Sequence, residues 1–213
     1  MKAKIILADD HKIVREGLRN VIESSPAYTV IAEADNGRQA VKLAAEKNPD
    51  IILMDVAMPD LNGIEAAKQI LNINPGIRII GLSMHSDKQF VSGMLAAGAY
   101  AYLLKDCDSG ELMKAIDTVM HNQKYVSNKI SGLILTDFIS GLDDDDCALS
   151  LREREILQLI AEGKSSKQIG ELLFVSSKTV DVHRKNIMDK LKLHTLPELT
   201  KYAIRSGLTG IDT

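Results

Sequence analysis

The sequence predicts two domains of different class: a doubly wound α/β domain over residues 1–122 and an all-α domain of four helices over 150–213. Three observations predict them. Five short apolar runs alternate with segments of helical period in the first part, the pattern of right-handed βαβ units with helices on both faces of a parallel sheet. Four consecutive aspartates, Asp143 to Asp146, then interrupt the chain; like charges in a row stay solvated and mark a linker. Beyond them come three capping-box signatures, each a Ser or Thr followed three residues later by Glu or Gln.

Taken in order, the run Ile5–Ala8 precedes an amphipathic stretch with Val14, Leu18, Val21 and Ile22 on one face. Tyr28–Ala34 leads to Ala40, Val41, Ala44 and Ala45, and Ile51–Met54 to Ile64, Ala67, Ile70 and Leu71. Ile77–Leu82 precedes a helix around Val91–Leu95, and Ala101–Leu104 one from about Ser109 to Met120 carrying Leu112, Ile116 and Val119. Five strands are therefore expected. Ile51–Met54, four apolar residues bounded by Pro49-Asp50 and Pro59-Asp60, reads as a central strand buried on both faces. Asp55 stands at its C-terminal end, the edge at which open α/β sheets bind ligands. Asp9-Asp10 ends the first run in the same way, so three carboxylates from two strands are expected at one crevice.

Residues 123–149 read as a linker. Past it, Ser150-x-x-Glu153, Ser165-x-x-Gln168 and Thr195-x-x-Glu198, with Ser176 or Ser177 as a further cap, predict helices near 151–162, 166–173, 177–191 and 196–206. Gly163 and Gly207 stand where helix stops belong. The pair 166–173 and 177–191, joined by Phe174-Val175-Ser176, has the dimensions of a helix-turn-helix. At about 100° per residue, Val180, Ile187 and Leu191 form one stripe of the second helix, with His183 and Arg184 at its edges. Lys178, Asp181, Val182, Lys185 and Asp189 lie opposite. An apolar Val182 turned outward between two lysines suits a thymine methyl flanked by phosphates; the plainer reading is a solvated helix face.

Composition narrows the function classes. The chain of 213 residues has 45% hydrophobic and 26% charged residues, an ordinary soluble balance. No stretch reaches the roughly 18 apolar residues of a membrane span, and Asp9-Asp10 breaks the opening apolar run too early for a signal peptide; a cytoplasmic location is expected. Residues 1–147 carry 15 Lys/Arg against 21 Asp/Glu, a net of −6, and residues 148–213 carry 11 against 8, a net of +3. The total is −3, but the two parts are suited to different partners. Cys107 and Cys147 have neither metal-ligand nor disulfide spacing, which favours a reducing compartment.

These residues resemble a two-component response regulator of the NarL/FixJ type, a receiver domain joined to a LuxR-type helix-turn-helix. The resemblance rests on Asp9-Asp10-His11, Asp55-x-x-Met58-Pro59-x-x-x-Gly63, Ser83 and Gly98-Ala99-Tyr100-Ala101-Tyr102-Leu103-Leu104-Lys105 in the first part. In the second it rests on Leu151-x-x-Arg154-Glu155-x-x-x-Leu159-Ile160-Ala161-x-Gly163-x-Ser165 and Ser177-x-Thr179-Val180-x-Val182-His183. It implies a flavodoxin-like strand order 2-1-3-4-5. It implies Mg²⁺ held by Asp10, Asp55 and the backbone carbonyl of Ala57, with Asp9 acting mainly through water, and Asp55 as phosphoacceptor from a sensor histidine kinase. Lys105 would meet a phosphoryl oxygen; Ser83 and Tyr102 match the switch pair, the ring rotating inward once Ser83 bonds the phosphoryl group. The regulator would dimerise on activation and bind double-stranded DNA through Lys178, Thr179, Asp181, Val182 and Lys185, with Leu199, Tyr202 and Ala203 of the last helix as the dimer contact.

Two departures from the family pattern stand out. Asp106 replaces the proline that often follows the lysine, so a cis-proline turn is not expected there. Asp181 stands where several relatives carry a basic residue, and would accept from cytosine N4 or exclude some sequences. Two other classes compete. An aspartyl-phosphate phosphatase usually has a second acid two residues after the nucleophile, where this chain has Ala57. A receiver acting purely as a protein-interaction module would bind no DNA.

Overall fold

The computed structural model describes residues 2–84, 88–127, 129–131 and 149–209, with the backbone alone at 88 and 89. The chain divides into two compact units, Met1–Leu142 and Asp143–Thr213. The aspartate run and Cys147 lie outside the described residues.

In the first unit strands and helices alternate: β1 (Ala3–Ala8), α1 (Lys12–Glu23), β2 (Tyr28–Ala34), α2 (Gly37–Lys47), β3 (Ile51–Asp55), α3 (Gly63–Ile73), β4 (Arg78–Ser83), α4 (Lys88–Ala96), β5 (Ala101–Leu104) and α5 (Ser109–Met120). A short β6 (Tyr125–Val126) follows. The sheet is parallel throughout, in the order β2-β1-β3-β4-β5-β6. This is the expected 2-1-3-4-5 order with one strand added at the β5 edge.

Every residue of β3 is buried, because the strand pairs on both sides and is covered on both faces. Removing an isoleucine or leucine side chain of this kind from water contributes roughly 2 kcal/mol. Alternation then divides the strand residues between two cores. Ile6, Ile52, Met54, Ile79 and Tyr102 pack on the face shared with α2, α3 and α4 residues, and Ile5, Ile51, Leu53, Ile80 and Leu103 on the face shared with α1 and α5 residues.

The sixth strand corrects the expected count of five and falls on residues read as linker. Tyr125 pairs with Ala101 and Val126 with Tyr102. Lys114 stacks 5.9 Å from the Tyr125 ring centroid. The chain then turns so that Ile130, fully buried, joins the core containing Tyr102 and Met94. Packing therefore extends the first unit beyond residue 122.

The second unit contains α6 (Leu151–Ala161), α7 (Ser166–Leu173), α8 (Ser177–Leu191) and α9 (Leu196–Arg205). All three predicted capping boxes form, at Ser150/Glu153, Ser165/Gln168 and Thr195/Glu198. Ser176 is the cap of α8, its side chain accepting from the Thr179 N–H. Gly163 and Gly207 take positive φ angles of 79° and 70° at the helix ends. The core is Leu149, Ile156, Leu157, Leu159, Ile169, Leu173, Val180, Ile187, Leu199, Ala203 and Leu208. Among the described residues no helix is long and apolar enough to cross a membrane.

Candidate functional site

The sheet's C-terminal edge gathers the acids. Register places Ala8 opposite Met54, so Asp9, Asp10 and Asp55 leave adjacent strands together. One ligand atom from each of Asp9, Asp10, His11 and Asp55 lies within 4.8 Å of the others. Asp9 and Asp55 are almost wholly buried, whereas the Asp10 side chain is 29% exposed. The Nζ of Lys105 reaches both buried acids, 2.7 Å from Asp9 Oδ2 and 2.7 Å from Asp55 Oδ2.

Local geometry holds Asp55 in place. The Gly63 N–H donates to the Val56 carbonyl, bringing the start of α3 against the end of β3. A Cβ on Gly63 would stand 2.0 Å from the Asp55 carbonyl oxygen, so only glycine fits there. On the other side the Ala57 N–H donates to Asp55 Oδ1 at 3.2 Å. Lys105 is set by its own N–H, which donates to the Ser83 carbonyl. Ser83 itself is fully buried at the end of β4.

Burial pushes the Asp55 carboxyl up to about 6; the Lys105 cation pulls it down and Asp9 adds to the rise. Burial lowers the Lys105 ammonium, but the facing Asp55 and Asp9 outweigh it and leave the group raised. Three carboxylates against one lysine leave the pocket short of positive charge. An all-carboxylate oxygen set of this spacing, with one partly exposed member, suits a hard divalent cation that retains water, such as Mg²⁺. Cys107, half-buried, is pushed up to about 11 by burial and then by Glu111, Asp106 and Asp108, so it stays a thiol.

Tyr102, the expected switch partner of Ser83, has its ring turned inward and fully buried in this structure. Gly81 is the β4 residue paired with it, and a Cβ there would come 3.3 Å from the ring and 2.8 Å from Met94; the missing side chain makes the space the ring fills. Asp106 pairs with Lys129 at 2.9 Å, and no cis peptide occurs among the described residues.

In the second unit, Lys178, Thr179, Asp181, Val182 and Lys185 are all exposed on α8 while Val180 and Ile187 are buried. Val182 is 53% exposed. Asp181 is already engaged: the Ser166 hydroxyl donates to its Oδ1 at 2.7 Å, and Arg184 lies 3.3 Å away. It ties α7 to α8 through Oδ1, while the side chain stays 49% exposed. The expected dimer contact also needs correction. Leu199 and Ala203 are fully buried, because their stripe is the one that packs α9 into the core. The other side of α9 carries Leu196, Pro197, Thr200 and Ile204 along a shallow groove flanked by Lys201 and Arg205.

Two residues near the acids were not read from the sequence. Arg15 and Glu33, 18 positions apart, form an ion pair at 2.9 Å beside Asp9. An arginine one turn into the helix after Asp9-Asp10, with a glutamate near the end of the neighbouring strand, is the only sequence signal for it.

Comparison with known families decides the class. Residues 5–117 match the response regulator receiver domain, and residues 147–203 match the bacterial regulatory proteins of the luxR family. The chain is a response regulator. It is 32% identical to the transcriptional regulatory protein DegU of Brevibacillus brevis, over 97% of this chain and 94% of the relative. It is 37% identical to the oxygen regulatory protein NreC of Staphylococcus haemolyticus (strain JCSC1435), over 96% and 98%. Among solved structures, a LuxR-family response regulator from Aurantimonas sp. SI85-9A1 superposes with a TM-score of 0.63 at 37% identity, covering 65% of this chain and 99% of that one. RcsB from Salmonella enterica serovar Typhimurium, bound to promoter P1flhDC with the phosphomimetic BeF3-, superposes with a TM-score of 0.63 at 27% identity, covering 98% and 100%. This response regulator is accordingly a phosphorylation-regulated, DNA-binding transcription regulator, with the acidic pocket in its receiver and α8 in its luxR-type domain.

Proposed function

We propose that this protein works in the cytoplasm, that Asp55 is the phosphoacceptor from a sensor histidine kinase, and that its phosphorylation controls dimerisation and the docking of α8 on double-stranded DNA. The observation that carries this reading is the meeting of Asp9, Asp10, Asp55 and Lys105 at one sheet edge. Asp10, Asp55 and the Ala57 carbonyl would hold Mg²⁺, with Asp9 acting through water. The ion supplies a hard counter-charge for phosphoryl oxygens.

Chemistry here is positioning more than covalent assistance. An Asp55 carboxylate oxygen forms the new P–O bond as the donor's P–N bond breaks, and the leaving imidazole nitrogen takes up a proton from solvent water. The Lys105 ammonium, already seated against Asp55, moves from a carboxylate partner to a phosphoryl oxygen as a point charge. The Ser83 hydroxyl donates to another phosphoryl oxygen, and the buried Tyr102 fixes the packing of the α4 and β5 side of the receiver behind it. The chain catalyses its own phosphorylation and dephosphorylation in this reading, because the pocket alone supplies the groups. The added charge of −1.5 to −2 biases a two-state receiver surface.

On the DNA side, Lys178 and Lys185 meet phosphates while Thr179 and Val182 face base edges. Asp181, held by Ser166, orders the helix pair. Dimers form through the α9 side carrying Leu196, Thr200 and Ile204. The direct test is Asp55→Asn with a small phosphodonor and Mg²⁺. Acid-labile phosphate should be incorporated by the wild type and not by the variant; incorporation at the wild-type level in the variant refutes the assignment.

A further inference from the structure

Asp9 is pinned from both sides of its backbone. Its N–H donates to the Ala34 carbonyl at the end of β2 at 3.0 Å, and its carbonyl accepts from Arg15 Nη1. Arg15 is not a loose surface group. Its side chain is 13% exposed, and its Nε donates to Glu33 Oε2 at 2.9 Å. Glu33 is fixed in turn by Arg19, whose Nε and Nη2 donate to the other oxygen at 2.9 and 2.6 Å. With Arg19 and then Arg15 bonded to it, the Glu33 carboxyl is held below the usual carboxylate range, so the clamp stays ionised at neutral pH.

The carbonyl that Arg15 grips belongs to the Asp9–Asp10 peptide. A peptide is planar, so holding that oxygen holds the plane in which the Asp10 N and Cα lie, the base from which its side chain leaves. Lys105 pairs with Asp9 and Asp55, whereas the ion-pair contact of Asp10 among the described residues is His11, 2.8 Å from its Oδ1. Its aim depends on its backbone. We propose that Arg15, braced by Glu33, is a positioning residue that sets the metal-binding orientation of the acid pair through the Asp9–Asp10 peptide. This rests on the magnesium reading of the pocket given above.

The sign of the effect separates positioning from charge. Removing a cation beside an acidic pocket leaves it more negative, and Coulomb's law alone then makes Mg²⁺ bind more tightly. Losing the peptide clamp makes it bind more weakly. Groups that orient a ligand from behind typically contribute 10- to 100-fold to metal affinity.

The test is Mg²⁺ titration of the unphosphorylated full chain by calorimetry, with the Asp10 amide followed by NMR, for the wild type, Arg15→Ala and Arg15→Lys. Arg15→Ala should weaken Mg²⁺ binding about tenfold. Arg15→Lys, with its charge kept but its fork lost, should fall between the two and guards against a folding failure in the alanine variant. Phosphorylation by a small phosphodonor should recover to within about threefold of the wild type once Mg²⁺ saturates. Unchanged or tighter binding in Arg15→Ala overturns the proposal, as does a rate that stays low at saturating metal. A wild type that takes up no Mg²⁺ overturns the magnesium reading with it, and is thereby told apart from failure of the Arg15 role alone.

Discussion

In the receiver, the charged groups that matter are buried and touch one another: Asp55 and Asp9 share Lys105 at 2.7 Å, and Arg15 grips the Asp9 backbone. On α8 the corresponding groups, Lys178 and Lys185, stand exposed on a helix whose fold depends on Val180 and Ile187 behind them. Burial makes each charge expensive to leave uncompensated, so the pocket works by geometry and a small displacement changes its chemistry. On the DNA face proposed for α8, exposure makes the contributions of these lysines additive and screened by salt, so each contributes a little and is replaceable. One chain thus contains a switch that must be exact in position and a reader that need only present charge and shape.

The largest effect that would break this contrast is at Gly63. Gly63→Ala puts a methyl group 2.0 Å from the Asp55 carbonyl oxygen, and should cost about 3 kcal/mol in denaturant unfolding of the full chain. A loss under about 1 kcal/mol would mean that the junction of β3 and α3 gives way easily.

Next is the buried charge of Asp55. Its carboxyl sits at about 6 in the fold against 3.8 unperturbed, so the folded state holds the proton longer than the unfolded one. Stability without Mg²⁺ should therefore fall as pH rises from about 4 to about 6, then level off. Asp55→Asn removes that slope, and at pH 7 should stabilise the metal-free chain by about 1–3 kcal/mol, discounted because Lys105 loses one partner. Thermal unfolding across pH 4–8 measures this; an unchanged slope would contradict the buried-charge account.

The DNA face should respond in the other manner. Lys178→Ala and Lys185→Ala should leave the unfolding midpoint within about 0.5 kcal/mol of the wild type. Each should weaken DNA binding several-fold and reduce the dependence of log K on log salt by about 1. A protein-interaction module would give no steep salt dependence with duplex DNA. The smallest effect belongs to the turn between α7 and α8, where Phe174 is 95% exposed and held at φ 54°. Asn tolerates that left-handed position better, so Phe174→Asn should add up to about 1 kcal/mol in the same unfolding assay.

What the sequence made legible follows from the same contrast. Ile51–Met54 ended by Asp55 announces both strand and site, because a buried parallel strand must be apolar and its carboxyl end is where ligands meet it. Capping boxes were readable because both partners lie within four residues. Long-range pairings were not: Arg15 with Glu33 is one ion pair among many that composition allows, and Asp181 with Ser166 becomes visible only when α7 and α8 are packed. β6 is two residues long, too short for any period, and is held by pairing with β5 and by Ile130. On α9 the apolar stripe was visible but not its destination; Leu199 and Ala203 turned out to be core, leaving Leu196 and Ile204 outside. Tyr102 was placed on the correct strand, yet its burial is decided by Gly81 on the neighbouring one.

The most direct measurement is duplex DNA affinity of the full chain at one fixed salt concentration, with and without BeF3- plus Mg²⁺, for the wild type and Asp55→Asn. The wild type should bind at least tenfold more tightly when the phosphomimetic is present, and the variant should show no change. Equal affinity in both states of the wild type, or the same gain in Asp55→Asn, would contradict control of DNA binding from the acidic pocket.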